Sequence, residues 1–157
     1  MVGPVRTILC PVDFSENSLM ALEHATYFAR QHDAKLYLLY VIPTGEISLP
    51  SELYRRDEKS GGADLVWAEK AAREKLQEMA HSRLNEGIRY EILVRGGDPA
   101  TGILEAAESI EAGMIVMATH GRTGLAHFFV GSVAERVVRE SLCPVLTIRG
   151  RGGEGRQ

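Results

Sequence analysis

The chain has 157 residues, enough for one domain with a sizeable core, and its make-up is that of an ordinary globular protein: 45% hydrophobic, 25% charged and 6% aromatic. A formal net charge of −3, from 18 basic and 21 acidic residues, leaves no electrostatic footprint for nucleic acid. The longest apolar runs have strand length, far short of the roughly 20 residues a membrane-spanning helix needs, and Met1 to Thr7 lacks the charged-then-apolar layout of a signal peptide.

Cys10 and Cys143 each stand just before a proline in a strand-like context. Two cysteines make no disulfide framework; they read as buried, reduced thiols, and the setting as cytoplasmic. Arg6 to Val12 is a short apolar run, the first strand, which should end at Pro11 because proline donates no ladder hydrogen bond. Asp13 to Asn17 turns into a helix with Ser15 as N-cap and Glu16 in the first turn. Leu19, Leu22, Ala25, Phe28 and Ala29 give that helix its apolar face as far as Gln31. Lys35 to Ile42 is a second, buried strand, completing a β-α-β unit.

Periodicity is lost from Pro43 to Gly62, where two prolines, three glycines and many charges predict a long irregular loop. It returns with Asp64 as N-cap and Leu65, Ala68, Ala72, Leu76 and Met79 on one helical face, with Trp67 expected to pack against the sheet. Ile88 to Val94 alternates as an edge strand would. Gly96-Gly97-Asp98-Pro99 predicts a turn, with Asp98 as N-cap and Pro99 at the first helical position. Ile103, Ala107 and Ile110 form the inner stripe of that helix, which Gly113 ends. Met114 to Ala118 is the fourth strand; a glycine-punctuated loop follows, then a helix resting on Val133, Val137 and Val138, and a last strand from Pro144 to Arg149. Gly150 to Gln157 reads as a disordered tail, leaving residues 1–150 as one domain. Strands alternating with helices in this order predict an α/β fold: a doubly wound parallel sheet of five strands with helices on both faces.

The segment from Met117 to Val133 carries the chemistry. A strand, a glycine-rich loop and a helix N-terminus in succession can make an anion site, because glycines admit close backbone approach and the helix's first N–H groups favour negative charge. The ligand this predicts is the phosphate chain of a nucleotide. Other patterns fit less well. No Walker A run with its lysine is present, no Gly-x-Gly-x-x-Gly follows the first strand, and His24, His32, His81, His120 and His127 lack metal-ligand spacing.

Two stretches bear a family resemblance. Ile8-Leu9-Cys10-Pro11-Val12-Asp13-Phe14-Ser15 resembles the opening strand and loop of the universal stress protein family. Gly131 to Val137 and Cys143-Pro144-Val145-Leu146 resemble its closing signature, and the likeness runs from Ile8 to Arg149. The ATP-binding branch carries a glycine, two residues, a glycine, nine residues, and a glycine followed by Ser or Thr. Gly121, Gly131 and Ser132 match it, while Ala118 stands at the first position.

The resemblance implies a Rossmann-like, adenine nucleotide alpha hydrolase-like sheet of order 3-2-1-4-5. Its ligand would lie at the switch between the first and fourth strands. By position it implies that Gly121, Gly131, Ser132 and the Val133 backbone hold phosphates. Pro11, Val12 and Asp13 would meet the adenosine end, Val41 would line the adenine slot, and Met117 and Ala118 would form the floor. It implies ATP, or AMP or ADP; the negative charge of a triphosphate asks for more than backbone amides, so Mg²⁺ is expected to accompany it. It also implies a homodimer formed by antiparallel pairing of Val145, Leu146, Thr147 and Ile148. The expected function is a nucleotide-dependent stress-response switch or binding module. A slow ATPase or nucleotidyl-transfer enzyme, for which only Asp13 and His120 offer themselves as general bases, and a dimeric family member that binds no nucleotide are the alternatives.

Each residue also has a plain structural reading. Ser132 with Glu135 forms a capping box, and Asp13 is a turn former. His120 either touches a phosphate or bonds to backbone; Arg122 either pairs with a phosphate or is solvated. Gly96 and Gly97 border a ribose or make a tight turn.

Overall fold

The computed structural model describes residues 3–44, 65–120 and 130–150. The elements run β1 (Thr7–Pro11), α1 (Glu16–His32), β2 (Lys35–Pro43), α2 (Leu65–Arg83), β3 (Tyr90–Gly97), α3 (Pro99–Ser109), β4 (Met114–Ala118), α4 (Ser132–Glu140) and β5 (Val145–Ile148). All strand pairs are parallel and the order is β3-β2-β1-β4-β5. The first three strands step one way and the last two the other, so right-handed crossovers put α1 and α2 on one face and α3 and α4 on the opposite face.

Because strand side chains alternate, consecutive apolar residues feed two separate cores. Ile8, Cys10, Val12, Leu36, Leu38, Tyr40 and Val116 pack with Leu22, Ala25, Ala72 and Leu76 of α1 and α2. Leu9, Leu39, Val41, Ile115 and Met117 pack with Ile103, Ala106, Ala134 and Val137 of α3 and α4. That is why the strands of this sequence read as continuous apolar runs: both faces are covered.

Local chemistry sets the helix ends. Ser15 caps α1, its Oγ accepting from Ser18 N at 3.2 Å, and Asp33 closes the helix in the left-handed region at φ 51°. Asp98 caps α3 with Pro99 behind it, accepting from Thr101 N at 2.9 Å.

Several expectations shift. Leu65 is 55% exposed, so the apolar stripe of α2 begins a turn later, at Ala68. Gly96 and Gly97 are not a free turn: they pair with Ile42 and Pro43 as the end of β3, leaving Asp98 alone as the junction. α3 stops at Ser109, and the left-handed residue after it is Glu111 (φ 50°) rather than Gly113. Val138 is 52% exposed, and the inner face of α4 is Ala134 and Val137. The loop expected from Pro43 to Gly62 begins later, because β2 runs on through Pro43; its residues 45–62, the Asp64 cap and residues 151–157 of the expected tail lie outside the described residues.

Candidate functional site

Those expected site residues that are described gather at the carboxyl ends of the central strands. Pairing of Leu9 with Ile115 and of Pro11 with Leu39 sets the level. Two residues beyond Pro11, Asp13 stands level with Val41 on one side and, by the same register, with Thr119 on the other. This is the point where strand order reverses, the crevice in which open α/β sheets hold ligands. Gly121 and Arg122 lie outside the described residues.

Three of the named side chains are core residues: Val12 is 4% exposed, Val41 7% and Met117 5%. Val12 belongs to the α1–α2 core, Val41 and Met117 to the other, so Val12 can offer a ligand only its backbone. That backbone is engaged in part, with Val12 N donating to Leu39 O at 2.8 Å. Ala118 ends β4 opposite Ile148 and has ordinary strand geometry, so nothing in its backbone demands the glycine of the family pattern.

Asp13 is half-buried, and its carboxylate accepts hydrogen bonds from the amide and hydroxyl of Ser15. Its own amide donates to Ser18 Oγ at 3.3 Å. The turn-forming role is therefore real, and it fixes where the carboxylate sits. Phe14 follows with φ 65°, a left-handed value rare for a bulky residue.

At β4 the chain is tied down by Thr119. Its amide donates to Ile148 O (3.0 Å) and its carbonyl accepts from Gly131 N (2.7 Å). Gly131 is the N-cap of α4 and has no side chain to cap with; a Cβ there would lie 2.9 Å from Thr119 O. Only glycine lets the helix start this close to the strand end. The capping box expected from Ser132 and Glu135 does not form, because Ser132 is the first helical residue rather than the cap. Glu135 instead bonds to Arg139 at 3.1 Å.

The first intrahelical bond is Glu135 N to Gly131 O, so the amides of Ser132, Val133 and Ala134 precede it, and no side chain among the described residues caps them. The Ser132 side chain is exposed and hydrogen-bonds to no described residue. Beside this open helix end sits His120. Its Nδ1 is 3.0 Å from Thr119 Oγ1, and its Nε2 is buried with no hydrogen-bond partner among the described residues. In the tautomer where the Thr119 hydroxyl donates to Nδ1, Nε2 carries a proton and requires an acceptor. Buried polar atoms are almost always satisfied, so this one calls for a partner beyond the described residues.

Two features escaped sequence reasoning. Gly102, inside α3, would place a Cβ 2.9 Å from Val41 Cγ2; it lets α3 lie flat on the strand residue expected to line the adenine slot. A glycine inside an otherwise apolar helix was the available signal. Arg136 of α4 reaches the α3 cap, its guanidinium 2.8 Å from Asp98 Oδ2, and so links the starts of the two helices. The Asp98 carboxyl is held below the usual carboxylate range, first by Thr101 amide and hydroxyl bonds and then by Arg136. Among the described residues no group of three or more His, Cys, Asp or Glu side chains is placed to hold a metal ion.

Comparison with known proteins gives this geometry its context. A universal stress protein of Methanocaldococcus jannaschii is 34% identical over 147 residues, covering 92% of this chain and 82% of the relative. The structure of universal stress protein UspA from Lactobacillus plantarum superposes with a TM-score of 0.70 at 26% identity, over 94% of this chain and 99% of that one. A universal stress protein from Archaeoglobus fulgidus in complex with dAMP shares the fold, with a TM-score of 0.58 at 24% identity over 94% of this chain and 99% of that one. The model of the universal stress protein family matches residues 4–149, nearly the whole α/β unit described above, and the chain belongs to that family.

Proposed function

We propose that this protein binds an adenine nucleotide across the ends of β1 and β4 and serves as a nucleotide-dependent switch or binding module in a stress response. The observation that carries the reading is His120 Nε2, buried with no hydrogen-bond partner among the described residues, beside a start of α4 that no described side chain caps. Free amides, a helix dipole and an imidazole donor converge where an anion would be stabilised. The phosphates would then lie over Ser132 and Val133, with Gly121 and Arg122 of the connecting loop contributing. Asp13 would take the ribose or base, and Val41, Met117 and Ala118 would form the apolar wall. The dAMP complex of a protein with this fold supports adenine as the class of base.

ATP is the form we favour, and AMP or ADP would occupy the same end of the sheet. Mg²⁺ would accompany a triphosphate through its phosphate oxygens, in keeping with that ion's preference for phosphate and water ligands. Isothermal titration with ATP and with AMP tests the reading. Binding of at least one in the micromolar to sub-millimolar range is expected, and no heat from either at millimolar ligand would overturn it.

Self-association is part of the proposal. β5 is an edge strand whose residues Val145 to Ile148 remain only half-buried, which suits antiparallel pairing with a second copy. Sedimentation equilibrium should give a dimer, and Thr147→Pro should give a monomer. The unpaired Cys10 and Cys143 suit a reducing, cytoplasmic setting; no described helix is long and apolar enough to cross a membrane.

A further inference from the structure

The turn after β1 holds a bulky aromatic residue in a conformation that glycine or asparagine normally occupies. Phe14 has φ 65°, and for an L-residue the left-handed region is disfavoured by a factor of about ten in population. Such an outlier persists only where its surroundings over-determine it. Here they do so through the ring. The Phe14 centroid is 4.9 Å from that of Tyr40, a buried residue of β2, in a tilted arrangement. Lys75 of α2 places its ammonium 4.4 Å from the same centroid on the cation–π geometry, and the ring packs onto the α1–α2 core. The side chain is gripped by two elements so that the backbone can hold a shape it would otherwise leave.

That shape has a local consequence. Phe14 lies between Asp13 and Ser15, and its left-handed turn brings the Ser15 amide to 3.0 Å from the Asp13 carboxylate. The Ser15 hydroxyl also donates to that oxygen, while the Asp13 amide donates to Ser18 Oγ. Were Phe14 to relax to an ordinary φ, Ser15 would swing away and Asp13 would lose the bonds that aim it. We propose that Phe14 is a positioning residue. Its ring, held between Tyr40 and Lys75, keeps the β1–α1 turn in the form that presents Asp13 to the nucleoside, and so couples the site to α2. The inference rests on the nucleotide reading above and adds to it a residue that touches no ligand.

Two substitutions separate aiming from packing. Phe14→Ala removes the grip and keeps the left-handed penalty; Phe14→Gly removes the grip and the penalty together. When only a fraction of molecules has the competent turn, apparent affinity falls by that fraction. ATP binding, followed by titration calorimetry, should therefore weaken about tenfold in Phe14→Ala and only about threefold in Phe14→Gly, the reverse of what loss of buried ring area alone would give. Inorganic tripolyphosphate, which has no nucleoside, should bind all three proteins within about twofold if the phosphate end is independent.

Equal loss in the two variants, or a parallel loss of tripolyphosphate binding, would overturn the proposal. Lys75→Met, which keeps the aliphatic stem and the fold, should weaken ATP by about two- to fivefold; unchanged affinity would count against the grip. If the wild-type protein binds no ATP, the nucleotide reading has failed, and the turn is judged by hydrogen exchange instead. The Ser15 and Ser18 amides should exchange faster in Phe14→Ala than in Phe14→Gly, and equal rates would overturn the role given to Phe14.

Discussion

Replacing Gly131 with alanine tests whether the start of α4 is held against β4 as tightly as the geometry says. The added Cβ would meet the Thr119 carbonyl oxygen at 2.9 Å and His120 Cα at 3.7 Å. The first contact is about half an ångström short of ordinary van der Waals separation. Thr119 O is backbone and cannot rotate away, since its residue is also bonded to Ile148 through the amide. The helix start must retreat, stretching the 2.7 Å bond from Gly131 N to Thr119 O. Overpacking of this kind costs about 1–3 kcal/mol, and alanine is also a poorer N-cap than glycine by roughly half a kcal/mol. With φ at −61° there is no left-handed strain to add. Restricting the unfolded chain gives back about 0.4–1 kcal/mol. The net expectation is a loss of about 1–3 kcal/mol, which at this chain length lowers Tm by about 3–10 °C. Urea and thermal unfolding followed by circular dichroism would measure it. Ser132→Ala is the control: the side chain is exposed and bonds to no described residue, so stability should stay within about 0.5 kcal/mol. A Gly131→Ala protein as stable as wild type would refute the close-packing argument.

Gly102→Ala would press a Cβ onto Val41 Cγ2 (2.9 Å) and Cγ1 (3.0 Å); valine turns reluctantly about χ1, so crowding of about 1–3 kcal/mol outweighs the ~1 kcal/mol gained in helix propensity. Adding Val41→Ala should recover part of that loss, a coupling that a double-mutant cycle in urea would detect and that additive effects would disprove. Asp98 has its carboxyl pKa lowered in the folded protein, so its contribution to stability is present above the ordinary aspartate pKa and is lost as pH falls through the lowered value. Melting from pH 7 down to pH 3 should show that loss only below about pH 4. Asp98→Asn should remove that part of the acid dependence while keeping the cap, and Asp98→Ala should cost about 0.5–2 kcal/mol at neutral pH. Burial pushes the Cys10 thiol up to about 12, so native protein at pH 8 should show one thiol, Cys143, reacting with a disulfide reagent, and two only in denaturant; two native thiols would contradict the burial of Cys10.

The architecture was legible because its signals are periodic and local. Apolar runs of strand length, alternating with helical stripes and punctuated by Ser15, Asp98 and Pro99, lead to five parallel strands, and the resemblance supplied their order. What escaped depends on contacts between residues far apart in the chain. That Ser132 is the first helical residue and Gly131 the cap could not be read from a Ser-x-x-Glu pattern, because the distance between α4 and Thr119 decides it. Gly96 and Gly97 look like a turn until their partners on β2 are known. Phe14 carries no local mark of left-handed backbone; the ring contacts proposed to hold it come from Tyr40 and Lys75, 26 and 61 positions away in sequence.

The glycine pattern that first drew attention to the β4–α4 connection is thus partly a packing signature. Gly131 is needed to seat α4 on Thr119 whether or not a nucleotide is bound, and Ala118 takes up ordinary strand geometry without the family's glycine. Glycine spacing alone therefore speaks for the fold before it speaks for the ligand. The residues that would speak for the proposed ligand are those whose polar atoms find no partner among the described residues. His120 Nε2 is buried with none among the described residues, a state that costs about 1–3 kcal/mol if nothing ever fills it. The amides at the start of α4 have no side-chain cap among the described residues, although a serine stands one residue away from the capping position. Packing among the described residues gives no reason to keep either feature, and the anion of the proposed nucleotide would account for both. Ser132→Ala and His120→Ala should therefore weaken nucleotide binding at little cost in stability, whereas Gly131→Ala should disturb both. If His120→Ala instead left ATP affinity unchanged, the orphaned imidazole would lose its meaning and the phosphate site would have to be sought elsewhere.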